Sequence, residues 1–273
     1  MKDDKDSQVY AYWNNKKHNP VTIGVGAIGT GLPIEHAYRM IGELETLRPY
    51  LPKAPFSMLE LGCGAGRWGF ALAQSLSCYE GVDLSEQQIT YATQLAEQKK
   101  LRQLAFFPGN INEYTPRQKQ FDVIYFSGVS QYLDDKDLGN IIRRYMPFLA
   151  PGGRIIERAT TFVGENRYVR DDEGEYWCIY RLSKEIIAVF EQQGLLLVAD
   201  EQSYTFLRRP ELWRSPELSF FADWGLQHVP TAMYSVMKAF SASISSKHDP
   251  YCHEGDKVYD HRFFIFSQNN DAK

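Results

Sequence analysis

The stretch ELGCGAGRWG, residues 60–69, follows the apolar run Phe56, Met58, Leu59 and Leu61 and places a glycine-rich turn directly after a buried strand. Such a turn brings bare backbone close to a ligand and hands the chain on to a helix. The pattern then repeats: CYEGVDL, LAFFPGN, FDVIYFSGV and GGRIIERAT read as further strands, with helical periodicity between them. FDVIYFSGV is almost continuously apolar, as a parallel strand buried on both faces should be. Alternation of this kind predicts an α/β fold, a doubly wound, Rossmann-like sheet of seven strands with right-handed crossovers.

The helices are legible from their apolar stripes. Ala37, Met40, Ile41, Leu44, Leu47 and Leu51 share one face, ended by Pro49, Pro52 and Pro55, and Phe70, Leu72, Ala73 and Leu76 predict a helix after the glycine turn. Ser85 with Gln88 forms a capping box that starts the next. A helix is expected over 134–149, stopped by Pro151-Gly152-Gly153, and another through Ile186, Ile187, Val189 and Phe190 with Gly194 at its end. GLLLVADEQSYTF and VYDHRFFIFSQ supply the last two strands. The organisation expected is one domain: an N-terminal lid and helix over 1–55, a core over 56–206, an inserted cap over 207–258 and a last strand and tail over 259–273.

Composition removes several function classes. A net charge of -4 offers no broad basic face for nucleic acid. The charged start MKDDKDSQ has no apolar core of a secretory leader, and no apolar run is long enough to span a bilayer, so no membrane partner is expected. Cys63, Cys78, Cys178 and Cys252 form no CxxC pair, which points to reduced thiols in a cytoplasm. His248, Cys252 and His253, with His261 further on, lack an orderly metal-ligand spacing, and no metal is expected. A homodimer is compatible with all of this.

The glycine loop alone does not choose its ligand. Gly62, Gly64 and Gly66 make GxGxG, while Gly64, Gly66 and Gly69 make the GxGxxG of dinucleotide sites. Asp83, at the end of the second strand, suits a pair of ribose hydroxyls in either case. Arg67 puts a cation in the first helical turn, the disfavoured end of the helix dipole, and an anionic ligand group would relieve that.

Taken together, ELGCGAG, GVDLS, PGNINEY, FDVIYFSGVSQYLDD and LAPGGRIIE stand in the order seen in class I S-adenosylmethionine-dependent methyltransferases, which the chain resembles over 56–207. The resemblance implies S-adenosyl-L-methionine as cofactor. It places Gly62, Gly64 and Gly66 at the methionine part with Arg67 on its carboxylate, Asp83 with Leu84 at the ribose, Asn110 and Ile111 beside the adenine, and Ser127 under the methionine end.

A narrower resemblance, to protein N-terminal α-amine methyltransferases, rests on the YW pair, GVGAIGTGLP, Arg67, the 121–144 segment and RDDEGEYW. It implies methylation of an amine on a peptide N-terminus or a small metabolite. Asp171, Asp172 and Glu175 are then the candidate proton acceptors together with Tyr132, and Tyr12, Trp13 and Trp177 the rings around the acceptor. Gly128 stands where that family has a tryptophan and Tyr132 where it has a histidine, so the pocket is expected to be wider. Two readings compete: an O-methyltransferase of a small-molecule natural product or sugar, with Tyr132, an aspartate or a histidine such as His228 as base, and a catalytically inactive cofactor-binding subunit.

Overall fold

Apolar strands that alternate with amphipathic helices bury most surface when the strands pair side by side and the helices cover both faces. The protein does this in a computed structural model that describes residues 8–13, 40, 42–172, 176–203 and 252–268. The strands are β1 (Phe56–Leu61), β2 (Leu76–Asp83), β3 (Leu104–Pro108), β4 (Phe121–Ser127), β5 (Leu149–Phe162), β6 (Tyr168–Asp171), β7 (Trp177–Tyr180), β8 (Leu195–Gln202), β9 (Cys252–Glu254) and β10 (Lys257–Gln268). Helices α1 and α2 cover 8–13 and 42–47; α3 (Arg67–Ala71), α4 (Glu86–Gln98), α5 (Asp135–Tyr145) and α6 (Ser183–Glu191) follow.

The main sheet runs β3-β2-β1-β4-β5-β10-β8, with β9 paired to β10. The first five strands are parallel, and β10 is antiparallel to both its neighbours. One face packs Met40, Leu44 and Leu47 of α2 together with Trp68 and Phe70 of α3 and Ile89 and Ala92 of α4 against the sheet, Met40 lying just ahead of the α2 range. The other packs Leu138, Ile141 and Ile142 of α5 and Ile186, Val189 and Phe190 of α6. This is the doubly wound seven-strand order expected. Among the described residues no helix is long and apolar enough to cross a membrane.

Three elements differ from expectation. The helix after the glycine turn is only α3, because Leu76, read as its end, pairs with Phe56 and opens β2. α5 stops at Tyr145 and passes into a 3-10 turn over Met146–Phe148, where Pro147 has no N–H to continue the ladder. The RDDEGEYW stretch carries the end of β6 and the start of β7, a two-stranded sheet that is not among the expected strands. The expected cap is largely outside the described residues, as are the glycines of 24–31, Glu173, Glu175, His228 and His248.

Candidate active site

Three of the glycines in the turn after β1 hold backbone that other residues avoid: Gly62, Gly64 and Gly66 have φ of 76°, 53° and 79°. Space is short as well. A Cβ on Gly62 would lie 2.1 Å from Val129 Cγ1, and one on Gly66 2.4 Å from the Phe106 ring. Gly69 faces the Tyr79 ring at 2.8 Å and serves helix–sheet packing.

Asp83, ending β2, ties the turn to its neighbour. Its Oδ2 accepts the Gly64 N–H and its Oδ1 the Ser85 N–H, both at 2.8 Å, and burial pushes its carboxyl up against the pull of those bonds. Each carboxylate oxygen can accept a second hydrogen bond. Ser85 caps α4, its Oγ accepting Gln88 N–H at 3.5 Å, which is one half of the expected capping box; its own N–H goes to Asp83 in place of the Gln88 side chain. Leu84 is half-buried beside it. After β3, Asn110 folds its amide oxygen onto Asn112 N–H at 2.9 Å, and Ile111 is buried with its carbonyl bonded by the Tyr145 hydroxyl at 2.7 Å.

Two glutamates that the motifs did not single out line this floor. Glu60, in β1, is wholly buried; the Tyr79 hydroxyl donates to its Oε2 at 2.6 Å, and its Oε1 has no well-formed hydrogen bond among the described residues. Burial pushes its carboxyl up to about 8, against the Tyr79 and Ser127 hydroxyls and the charge of Arg67. Glu43, from α2, is also wholly buried: Arg158 reaches its Oε1 at 2.8 Å and Arg67 its Oε2 at 3.0 Å. Arg67 therefore has a partner that sequence reading did not anticipate. A charged residue inside an apolar strand, as in FSMLEL, was the available signal for Glu60.

Beyond the loop, Ser127 ends β4 level with Arg158 of β5. Gly128 has φ 70°, and a Cβ there would meet only the Arg158 carbonyl at 4.0 Å, so the backbone turn requires glycine while the space beside it stays open. Tyr132 follows in a 3-10 turn, and the Gln131 amide donates to its hydroxyl at 2.8 Å. Its oxygen is 3.2 Å from that of Tyr176, a ring the sequence reading passed over. Tyr12 of α1 packs on Tyr176 at 4.7 Å between centroids, and Trp13 meets Tyr132 edge-on at 6.0 Å. Trp177 is buried in β7.

These rings form a wall, and its phenols stay protonated at neutral pH: burial raises both Tyr132 and Tyr176 well above the ordinary tyrosine range. Asp171 and Asp172 are exposed, and Arg170 binds Asp172 at 2.8 Å. Arg181, almost fully buried, donates to the Ser130 and Leu133 carbonyls at 2.8 and 2.6 Å and pins the Tyr132 turn. Among the described residues no three His, Cys, Asp or Glu side chains gather as metal ligands.

The sequence pattern of the methyltransferase domain matches residues 58–153. That match covers about a third of the chain. Zebrafish (Danio rerio) N-terminal Xaa-Pro-Lys N-methyltransferase 2 is 33% identical over 104 residues, so the match spans only 36% of each chain. Two solved structures share the fold. A Leishmania major S-adenosylmethionine-dependent methyltransferase has TM-score 0.59 at 17% identity over 75% of this chain and 78% of that one. The geranyl diphosphate C-methyltransferase of Streptomyces coelicolor, in complex with S-adenosylhomocysteine, has TM-score 0.61 at 13% identity over 97% and 98%. The architecture is the class I methyltransferase fold that those two structures share.

The site's chemistry fits S-adenosylmethionine better than a dinucleotide. The Asp83 charge is close enough to raise the proton affinity of Glu60, and a carboxylate there disfavours a pyrophosphate. A zwitterionic amino-acid end suits the site, with Glu60 Oε1 for the ammonium and the Arg67 cation for the carboxylate.

Proposed function

We propose that the protein is an S-adenosylmethionine-dependent methyltransferase that methylates an amine nitrogen, on a peptide N-terminus or a small metabolite. The observation that carries the cofactor half is the conjunction of a left-handed glycine turn, a buried carboxylate with one oxygen still to be satisfied, and Asp83 on two backbone N–H groups. When bound, the cofactor supplies an activated methyl group on a sulfonium. This chain's residues bind and orient: Gly62, Gly64 and Gly66 let backbone approach, Glu60 and Arg67 hold the amino-acid end, Asp83 and Leu84 the ribose, Asn110 and Ile111 the adenine edge, and Ser127 stands beneath the methionine end. Attack on such a methyl needs mainly alignment with the breaking bond, and Gly128 leaves room for an acceptor at that point.

The choice of amine over hydroxyl rests on proton chemistry. An α-amine has a pKa near ~8 and is partly neutral without help, whereas an alcohol needs a base in the transition state. The Tyr132 and Tyr176 phenols are held protonated and are poor bases. Tyr12, Trp13 and Tyr132 instead offer ring faces to a cation, and Asp171 and Asp172 are exposed carboxylates that can receive the proton afterwards. The N-terminal methyltransferase of zebrafish supports a peptide such as Xaa-Pro-Lys as the first acceptor to try.

Methyl-tritiated S-adenosylmethionine should label primary or secondary amines in a panel of peptides, metabolite amines and hydroxyl compounds. Label appearing only on hydroxyl acceptors would overturn the amine reading and favour O-methylation. Absence of S-adenosylhomocysteine binding in calorimetry would overturn the methyltransferase reading itself.

A further inference from the structure

Arg67 is an arginine whose charge is matched and whose donors are not. Its only polar partner among the described residues is Glu43, an ion pair of 3.0 Å from Nη2 to Oε2, and its guanidinium otherwise lies over the Trp68 ring at 5.5 Å. That Oε2 accepts no well-aligned hydrogen bond, so the N–H groups of Arg67 are not aimed at Glu43. Arg158 behaves differently. Its Nε and Nη2 both donate to Glu43 Oε1, at 3.2 and 2.8 Å, and fix the carboxylate from the β5 side.

The charges add up in the same direction. Among the described residues two guanidiniums, Arg67 and Arg158, lie on the one buried carboxylate of Glu43, an electropositive setting next to the glycine turn. One further carboxylate completes the set.

We infer that Glu43 is a positioning residue for the cofactor's amino-acid end: held by Arg158, it keeps Arg67 beside the glycine turn by charge while leaving its N–H groups for the ligand carboxylate. The inference rests on the cofactor reading above. It makes α2, outside the core that carries the motifs, part of the binding site, and it assigns Arg158 a task although no motif contains it.

Titration calorimetry with two probes separates these ideas. S-adenosylhomocysteine carries the amino-acid end; 5′-methylthioadenosine keeps the adenosyl group and the thioether but lacks that end. The wild-type protein should prefer S-adenosylhomocysteine by tenfold or more, and Glu43→Gln should weaken that compound by about tenfold while leaving methylthioadenosine within about twofold. Arg67→Gln should erase the preference, and adding Glu43→Gln to it should cost nothing more, since both changes remove one interaction.

Equal weakening of both probes by Glu43→Gln would mean a merely structural role and overturn the inference. Tighter S-adenosylhomocysteine binding by Glu43→Gln would overturn it too, making Glu43 a competitor for Arg67. If Glu43→Gln fails to fold, Arg158→Gln removes the same support from the other side and should reduce the preference in the same sense; an unchanged preference there overturns the inference. A wild-type protein that binds neither probe refutes the cofactor reading instead, and one that binds both equally refutes the role of Arg67.

Discussion

The glycine turn and the ring wall sit at the same edge of the sheet and are built by opposite means. At the turn, contacts come from backbone and from wholly buried carboxylates, Glu43 and Glu60, whose surroundings leave little freedom. At the wall, contacts come from rings on α1, the Tyr132 turn and β7, with hydroxyls 3.2 Å apart and charges such as Asp172 in solvent. A constant ligand rewards a site fixed by geometry that tolerates no change. A variable acceptor is better served by rings, whose faces accept many shapes.

If that contrast is right, the largest single effect belongs to the turn. Gly62→Ala combines a left-handed φ with a Cβ 2.1 Å from Val129 Cγ1, so stability should fall by about 3 kcal/mol and S-adenosylhomocysteine binding should be lost. Urea denaturation and calorimetry measure both. Gly128→Ala is the matched control at the wall's border: it has the φ penalty but no crowding, so its cost should be about 1 kcal/mol. Equal losses at the two glycines would break the comparison.

Next comes pH. Glu60 has a folded pKa near 8 against 4.5 for the free side chain, so the folded protein holds a proton that the unfolded chain releases. Its contribution to stability is complete below 4.5 and is lost as pH rises through 8, with a slope up to about 1.4 kcal/mol per pH unit for one proton. Glu157, also buried and near 8, adds a term of the same sign. Affinity for S-adenosylhomocysteine should run the other way, rising from pH 6 to 8, because an ammonium beside Glu60 favours its ionised form and binding expels the proton. Glu60→Gln should flatten the affinity slope, and calorimetry in buffers of different ionisation heat counts the proton. A slope that persists in Glu60→Gln refutes the assignment.

The same contrast governs what could be read before any coordinates. Gly62, Gly66, Asp83 and the Ser85 cap lie within short motifs whose physics is local, and the parallel order of the sheet follows from the alternation of elements. Glu43 and Arg158 are 115 positions apart in the chain, and neither has a pattern around it that announces the other. Tyr176 reaches Tyr132 through the pairing of β6 with β7, and the β6 side chains alternate half-buried and exposed with no pattern that announces the contact. Pairing with β1 overrode the helical stripe at Leu76 in the same way, a contact that no local window contains. Local rules reached the cofactor end; the acceptor end depends on tertiary pairing.

At the wall, a hydroxyl should matter less than a ring. Tyr132→Phe removes the bonds to Gln131 and Tyr176 but keeps the ring beside Trp13, so stability should drop by about 1 kcal/mol and S-adenosylhomocysteine affinity should hold. Tyr132→Ala, which removes the ring too, should cost more. Comparable losses from the two would mean that the hydroxyl pair, and not the ring, organises the wall.

The smallest effect is expected furthest out. Among the described residues the Asp172 side chain is bound only by Arg170, at 2.8 Å and with 43% of the Asp172 side chain exposed, and solvent screens such a pair to a few tenths of a kcal/mol. Asp172→Asn should leave urea stability and S-adenosylhomocysteine affinity unchanged within error. Its informative readout is the acceptor: if the carboxylate receives the proton from a methylated amine, turnover with the amine found in the labelling panel should fall at low pH, where a proton acceptor is scarce, and recover at high pH, where hydroxide and free amine take over. A turnover that matches wild type at every pH would leave Asp172 as a solvated surface charge. The acceptor half of the site would then rest on its rings alone.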